Sequence, residues 1–463
     1  MPFITGVINN NGRQALFASE EHSYIFCFMK GTVSDIAFSD PFFRFYGENG
    51  FIYGSTNQGR KIAIYIGDYP CNVQESQGFN TAAYVVSRGM TEDTDEIKTF
   101  DAISFHGGTL GKVYTAKGIE LVLPSEKSEY IAKYKDDNIS YTFLTDIGQM
   151  KIEVSSVVRR NVSPPLSIDN SEVVLTLSFP SPQPLHTVIN HYQIICKILA
   201  FLTYRRNVVF DRIELHKYSK EFAMLIPSAD VLIKTDATLT NKDSFRCISI
   251  EKLGASFSEL MRLFYAQHYA IERHLEREAT EKLLPSLGFV PENDADISLM
   301  TNAKLREICS AVEFEIGNNK DINAQKNAII AELVFEVKKC INEFKKRNPG
   351  LSNDEYSTLS GSLSHWSLPL REEIYAICEK YRTYIVNMAF SRYGINEYSL
   401  TRDDIKAFTT YRNNITHSSG TAMNITVVRT AFLLSGVVYC SILKRIGVSE
   451  DHINEFCANG MII

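Results

Sequence analysis

The chain has 463 residues, 44% of them hydrophobic and 22% charged, with 48 basic against 54 acidic side chains and a formal net charge of −6. These values exclude a disordered tail, a collagen-like fibre and a disulfide mini-scaffold, and the length predicts two or three domains with sizeable cores. A mildly acidic chain does not coat nucleic acid by bulk attraction, so any such contact must come from a local patch or an assembled interface.

In chain order, roughly the first 250 residues read as strands. Residues 24–29, 51–53, 61–66 and 82–86 are short β-branched and aromatic runs separated by Gly/Asn-rich breaks such as GENG and STNQGR, and 151–158 and 172–179 continue the pattern. Runs of this kind predict an antiparallel sandwich or barrel. One helix is expected to interrupt it, from His186 to Leu202, where apolar side chains recur at spacings of one, three and four. Strands are expected to resume at 208–210 and 222–226.

After about residue 253 the period becomes helical. Phe257, Leu260, Met261, Phe264 and Tyr265 step by three and four; a polar stretch at 291–296 breaks the pattern; a helix over 331–344 ends at Lys345-Lys346-Arg347-Asn348-Pro349-Gly350. Pro369 is read as opening the next helix, with Gly394 after it. Thr401-Arg402-Asp403-Asp404 has the form of a capping box with Asp in place of Glu. A last long helix is expected from about 422 to 446, with Gly447 past its end and Ser449 capping a short terminal helix. The fold class expected is therefore α+β, with an antiparallel β-rich, sandwich-like domain over 1–253 and an all-α bundle over 254–463.

Nine scattered cysteines form no C-x-x-C pair and no Cys/His cluster of zinc spacing, which predicts buried reduced thiols and a cytoplasmic protein without a resident metal or other cofactor. The opening MPFITGVINNNGR has no basic n-region followed by an apolar core, so no secretory signal is expected. The most apolar stretch, 430–443, is too short to span a bilayer and reads as a buried helix, so no membrane partner is expected.

Several motifs invite chemistry and have plainer explanations. Gly107-Gly108-Thr109-Leu110-Gly111-Lys112 resembles a phosphate loop but has His at 106 and Val at 113, and reads as a turn. His186 and His191 lie five apart, off one helical face, against a metal pair. The cations at 338, 339 and 345–347 fit a helix C-terminus, with an RNA contact as the lesser reading. Trp366, the only Trp, reads as a packing residue.

Tyr411-Arg412-Asn413-Asn414-Ile415-Thr416-His417 differs from these. Helical spacing puts Arg412 on the stripe of Ile405, Phe408 and Ile415. An inward guanidinium is costly without an anion or buried partner. His417, five residues on, adds a titratable base at an expected helix end. A purely structural account, an Arg tying two helices and a His capping one, stays open on spacing alone.

The segment resembles the R-N-x-x-x-H motif of the HEPN superfamily, and a β-rich region joined to such a helical domain resembles the ApeA-like abortive-infection proteins. The resemblance rests on one motif and helical context over the last ~210 residues, and on general character alone over 1–250. It implies a metal-independent endoribonuclease working as a homodimer or higher homo-oligomer. It further implies anti-phage defence by cleavage of RNA such as tRNA, under a phage-derived trigger bound by the N-terminal domain. Arg412 and His417 would then be catalytic and Asn413 would orient the phosphate or the His. An auxiliary acid on an earlier helix is sought among Glu372, Glu373 and Glu379. Two other readings are a non-catalytic helical dimerisation scaffold, and a β-rich ligand- or protein-binding domain carried by it.

Overall fold

The computed structural model describes residues 4–10, 13–20, 22–28, 43–45, 47–67, 71–73, 78–90, 97–115, 119–122, 131–134, 138–161, 167–237, 247–272, 284–293, 296–362, 370–417 and 422–460. The protein is α+β, with a large antiparallel sheet in its N-terminal part and a helical C-terminal region. The strands are β1 (Ile4–Asn10), β2 (Arg13–Glu20), β3 (Ser23–Phe28), β4 (Phe43–Phe45), β5 (Phe51–Thr56), β6 (Arg60–Tyr65), β7 (Cys71–Val73), β8 (Gly78–Asn80), β9 (Ala83–Met90), β10 (Thr99–His106), β11 (Ile119–Val122), β12 (Ile131–Tyr134), β13 (Asn138–Thr145), β14 (Gly148–Asn161), β15 (Ser167–Pro184), β16 (Arg212–Ser219) and β17 (Met224–Ile233). The helices are α1 (Leu110–Val113), α2 (Thr187–Thr203), α3 (Ile250–Leu253), α4 (Ser256–Glu272), α5 (Asn302–Asn318), α6 (Lys320–Arg347), α7 (Asn353–Ser362), α8 (Leu370–Lys380), α9 (Arg382–Tyr393), α10 (Arg402–His417), α11 (Ile425–Arg445) and α12 (Glu450–Ala458).

Thirteen strands form one hydrogen-bonded sheet in the order β13-β14-β15-β10-β16-β17-β9-β6-β5-β1-β2-β3-β8; β11-β12 and β4-β7 are separate ribbons. Side chains alternate across each strand. Ile103 lies between Leu177 and Leu215, and Phe105 between Leu175 and Ile213, all buried. The intervening register aligns Ser104 with Glu214 and His106 with Arg212. One face of the central strands is therefore apolar and the other charged. At the β8 end, Ile8, Phe17, Tyr24, Ile52, Ile62, Ile64 and Tyr84 make a second apolar core.

Packing divides the chain differently from the expected boundary at 253/254. Residues 249–275 group with the sheet and 276–463 form the bulk of the helical unit. The reason is the apolar face of α4, which seats Phe257 against Tyr141 and Tyr265 against Phe143 of β13. The strand expected at 208–210 is absent, and β16 starts only at Arg212. Val209 instead exchanges two bonds with Thr109 beyond the end of β10, its N–H donating to the hydroxyl at 2.9 Å and its carbonyl accepting at 2.8 Å.

In the helical unit, α11 is buried on every side from Thr430 to Leu443, and α5, α8, α9 and α10 gather around it. It is long and apolar enough to cross a membrane by length and composition, yet it is mostly buried within the protein. Asn424 caps it by accepting from the Val427 N–H at 2.9 Å, Gly447 follows it at φ +88°, and Ser449 caps α12. The helix expected beyond residue 369 is two. At Tyr381, φ −106° and ψ 20° leave the helical range and separate α8 from α9. Pro369 lies outside the described residues. A buried ion pair ties α5 to α11. Glu315, fully buried, accepts from Arg445 Nη2 at 2.7 Å and from the Ser441 hydroxyl at 2.6 Å. Burial pushes the Glu315 carboxyl up, against the opposing pull of Arg445 and Ser441.

Candidate functional site

α10 begins where the sequence predicts. Thr401 and Asp404 cap it reciprocally, the Asp404 N–H donating to Thr401 Oγ1 at 3.2 Å and the Thr401 N–H to Asp404 Oδ2 at 3.0 Å. Ile405 and Phe408 are fully buried, and Tyr411 nearly so. Arg412 continues that stripe but stands at its edge, with a third of its side chain exposed. It is an edge residue rather than an inward one.

Its fork is held on two sides. Nη2 donates to Glu313 Oε1 of α5 at 3.2 Å, and Nη1 donates to Asn413 Oδ1 at 3.2 Å. The same Glu313 oxygen accepts from Cys309 Sγ at 3.4 Å. Burial, and then the neighbouring Glu313 carboxylate, push the Cys309 thiol up to about 12, so it is a neutral donor. Two more links join the same helices: Tyr411 donates its hydroxyl proton to Asn302 Oδ1 at 3.0 Å, and Arg306 donates to the Ile415 carbonyl. Tyr411 is thus a packing residue.

The acid facing Arg412 is Glu313, which is not among the acids expected from sequence. Of the three that were, Glu372 pairs with Arg402 at 3.2 Å and Glu379 with Arg382 at 3.6 Å. Glu373 lies beside Glu372 in the first turn of α8. The only advance signal for Glu313 was its spacing from Cys309, four residues along an otherwise apolar helix stripe.

Beside Arg412 a cavity of about 330 Å³ opens, lined by Leu370, Arg371, Lys406, Thr409, Thr410, Arg412 and Asn413. Lys406, Thr409, Thr410 and Asn413 follow the i, i+3, i+4, i+7 pattern of one α10 face. Among the described residues, three cations and no carboxylate line this cavity. His417 is the last residue of α10; its side chain, like those of Thr416 and Trp366, lies outside the described residues.

The other sequence motifs resolve into structure. The Gly107-Gly108 turn has left-handed φ values of +61° and +57°, and the Gly108 N–H donates to Asp211 Oδ2 at 3.1 Å. The protein's own carboxylate takes the place a phosphate would need. His191 is fully buried and bonds Tyr265 at 3.0 Å, while burial and the nearby His268 hold it down to about 3. His186 is exposed ahead of α2. Among the described residues no group of three or more His, Cys, Asp and Glu is placed to hold a metal. The described cysteines are unbridged and mostly buried, with Cys340 exposed on α6.

The charged sheet face carries an ionic cluster centred on Glu214. Glu214 contacts His106 at 3.2 Å and Arg212 at 2.7 Å and also meets Arg88, which binds Asp230 at 2.7 Å. Burial raises the Glu214 carboxyl, but His106 and Arg88 outweigh it and bring it down to about 2. Comparison with protein-family models, with curated proteins and with solved structures returns no match to this chain.

Proposed function

We propose that the protein is a metal-independent endoribonuclease of the HEPN type, acting in anti-phage abortive infection in the cytoplasm. On this reading the helical unit is a HEPN-type bundle and the sandwich-like β-rich unit senses the trigger or restrains it. The observation that carries the proposal is the environment of Arg412: a guanidinium anchored from behind by Glu313, partly exposed, and bordering a cleft whose charged lining among the described residues is cationic.

RNA places a 2′-hydroxyl beside each phosphodiester. A base removes its proton, the oxygen bonds to phosphorus, the bond from phosphorus to the 5′-oxygen breaks, and an acid delivers a proton to that oxygen. The products are a 2′,3′-cyclic phosphate and a 5′-hydroxyl. The imidazole of His417 is chemically suited to either proton transfer. Arg412 stabilises charge on the non-bridging oxygens with paired donors. Asn413, holding Arg412 through Oδ1, keeps its amide N–H groups for the phosphate. One imidazole does not serve both sides of one phosphate, so a twofold homodimer supplies the second His417 and Arg412.

Expression of wild type and His417→Ala in a bacterial host, followed by end mapping of total RNA, tests this. The expected result is growth arrest with cyclic-phosphate ends for wild type and neither for the variant. Equal toxicity of the two chains would defeat it.

A further inference from the structure

The cleft beside Arg412 extends well beyond one guanidinium. Along the exposed face of α10 it presents Lys406, Thr410 and Asn413, and α8 contributes Arg371 from the opposite side. Lys406 is exposed and has no anionic partner among the described residues. Arg371 is half exposed and touches a carboxylate only at 3.7 Å, that of its neighbour Glu372, which is already engaged by Arg402 at 3.2 Å. Glu372 and Glu373 also answer the N-terminal dipole of α8, so the positive character of the cleft comes from its side chains. The helical part as a whole carries 23 basic against 26 acidic residues over 255–463, so a pocket lined by three cations and no acid among the described residues is a local departure from the bulk.

Arg412 is paired with Glu313 and Arg371 lies 3.7 Å from Glu372, but Lys406 has no carboxylate contact among the described residues, so the three like charges are only partly neutralised and an added anion is favoured. A single phosphate facing Arg412 leaves Lys406 unanswered and Arg371 with only its long contact to Glu372. A polyanionic strand answers all three, because consecutive phosphates meet consecutive cations. Thr410 and Asn413 line the same cavity on α10 as Lys406 and Arg412 and suit sugar hydroxyls and phosphate oxygens.

We infer that Arg371 and Lys406 form a phosphate subsite for the nucleotide next to the scissile one, so that the cleft holds single-stranded RNA by its backbone in a fixed register. This rests on the ribonuclease reading of Arg412. Neither residue touches the reacting atoms; both bind and position the strand. Binding of this kind is the same in the ground and transition states, so it sets KM and leaves kcat alone.

The test uses the full chain with two single-stranded RNA probes of one sequence, one unmodified and one 2′-O-methylated throughout so that no cleavage occurs. In the Arg371→Gln/Lys406→Gln double variant, affinity for the methylated strand is expected to fall about tenfold. The slope of log affinity against log salt is expected to shrink by ~0.7 for each phosphate that is no longer neutralised. On the unmodified strand KM rises in step while kcat stays within about twofold. A charge-matched control, Lys217→Gln/Lys220→Gln on the β16–β17 hairpin, keeps wild-type values. If wild type cleaves RNA and the double variant retains its affinity and salt slope, the subsite is wrong and the ribonuclease reading survives. If the methylated strand binds and the double variant loses it, yet wild type never cleaves, the subsite stands and the ribonuclease reading falls. A wild type that neither binds nor cleaves overturns both.

Discussion

Glu313 Oε1 receives both Arg412 Nη2, at 3.2 Å, and Cys309 Sγ, at 3.4 Å, so one carboxylate oxygen joins α5 to the motif-bearing helix α10 across 99 positions of sequence. The pair is partly exposed on both sides, at 33% and 38%. It therefore contributes no more than ~1 kcal/mol to folding, and its value lies in aiming the guanidinium.

Arg412→Ala is accordingly expected to lower RNA cleavage by ~10²–10³ with an unchanged thermal melt, the size of losing one oxyanion donor. Glu313→Gln leaves the guanidinium present but loosely aimed, and a loss of ~10–10² is expected. Glu313→Asp should recover part of that rate. A melt that collapses in Arg412→Ala would instead assign the residue to structure.

Arg445→Met removes the cation from a fully buried Glu315. An uncompensated buried carboxylate costs ~3–5 kcal/mol, read as a lower midpoint in denaturant unfolding. Adding Glu315→Gln to the same chain should restore much of the loss, since the charge that lacked a partner is gone.

His191 stays neutral in the fold, held down to about 3 by burial and then by His268. An unfolded His takes up its proton near pH 6.5, so the unfolded state binds more protons between the two values. Stability from this residue is full above pH 6.5 and declines as the pH falls towards 3. At pH 4 the decline reaches about 3 kcal/mol. Unfolding free energies from pH 7 to pH 4 should fall less steeply in His191→Gln, which keeps a bond to Tyr265 without titrating. Parallel slopes would contradict it.

Gly108→Ala is expected to cost ~1–3 kcal/mol. Its φ is +57°, and an added Cβ would sit 2.1 Å from the Val209 carbonyl oxygen. Both the backbone angle and the neighbouring chain oppose a side chain here. An unaltered melt would show that the turn has an alternative geometry.

Local chemistry was readable from the chain wherever one element decides it. The Thr401–Asp404 box, the Ser449 cap and the all-round burial of residues 430–443 each follow from a few neighbouring side chains. What the chain concealed depends on distant partners. Glu313 gains its meaning only when α5 lies against α10. Val208-Val209-Phe210 has strand composition, but Thr109 claims the backbone of Val209. α4 has the period of a bundle helix, and its aromatic face serves the sheet. Helical spacing points Arg412 inward but gives direction without depth; the helix edge leaves it partly in solvent.

The rotational phase of α10 carries a last consequence. Its packed stripe and its cleft stripe are interleaved around one cylinder, and each residue advances the helix by about 100°. A single insertion between Ile405 and Phe408 would swing the guanidinium away from Glu313 and turn Phe408 out of the core. Exchange of one side chain for another leaves that phase intact. Over these turns an insertion or deletion therefore disturbs the core packing and the Arg412–Glu313 contact together, which a point replacement does not.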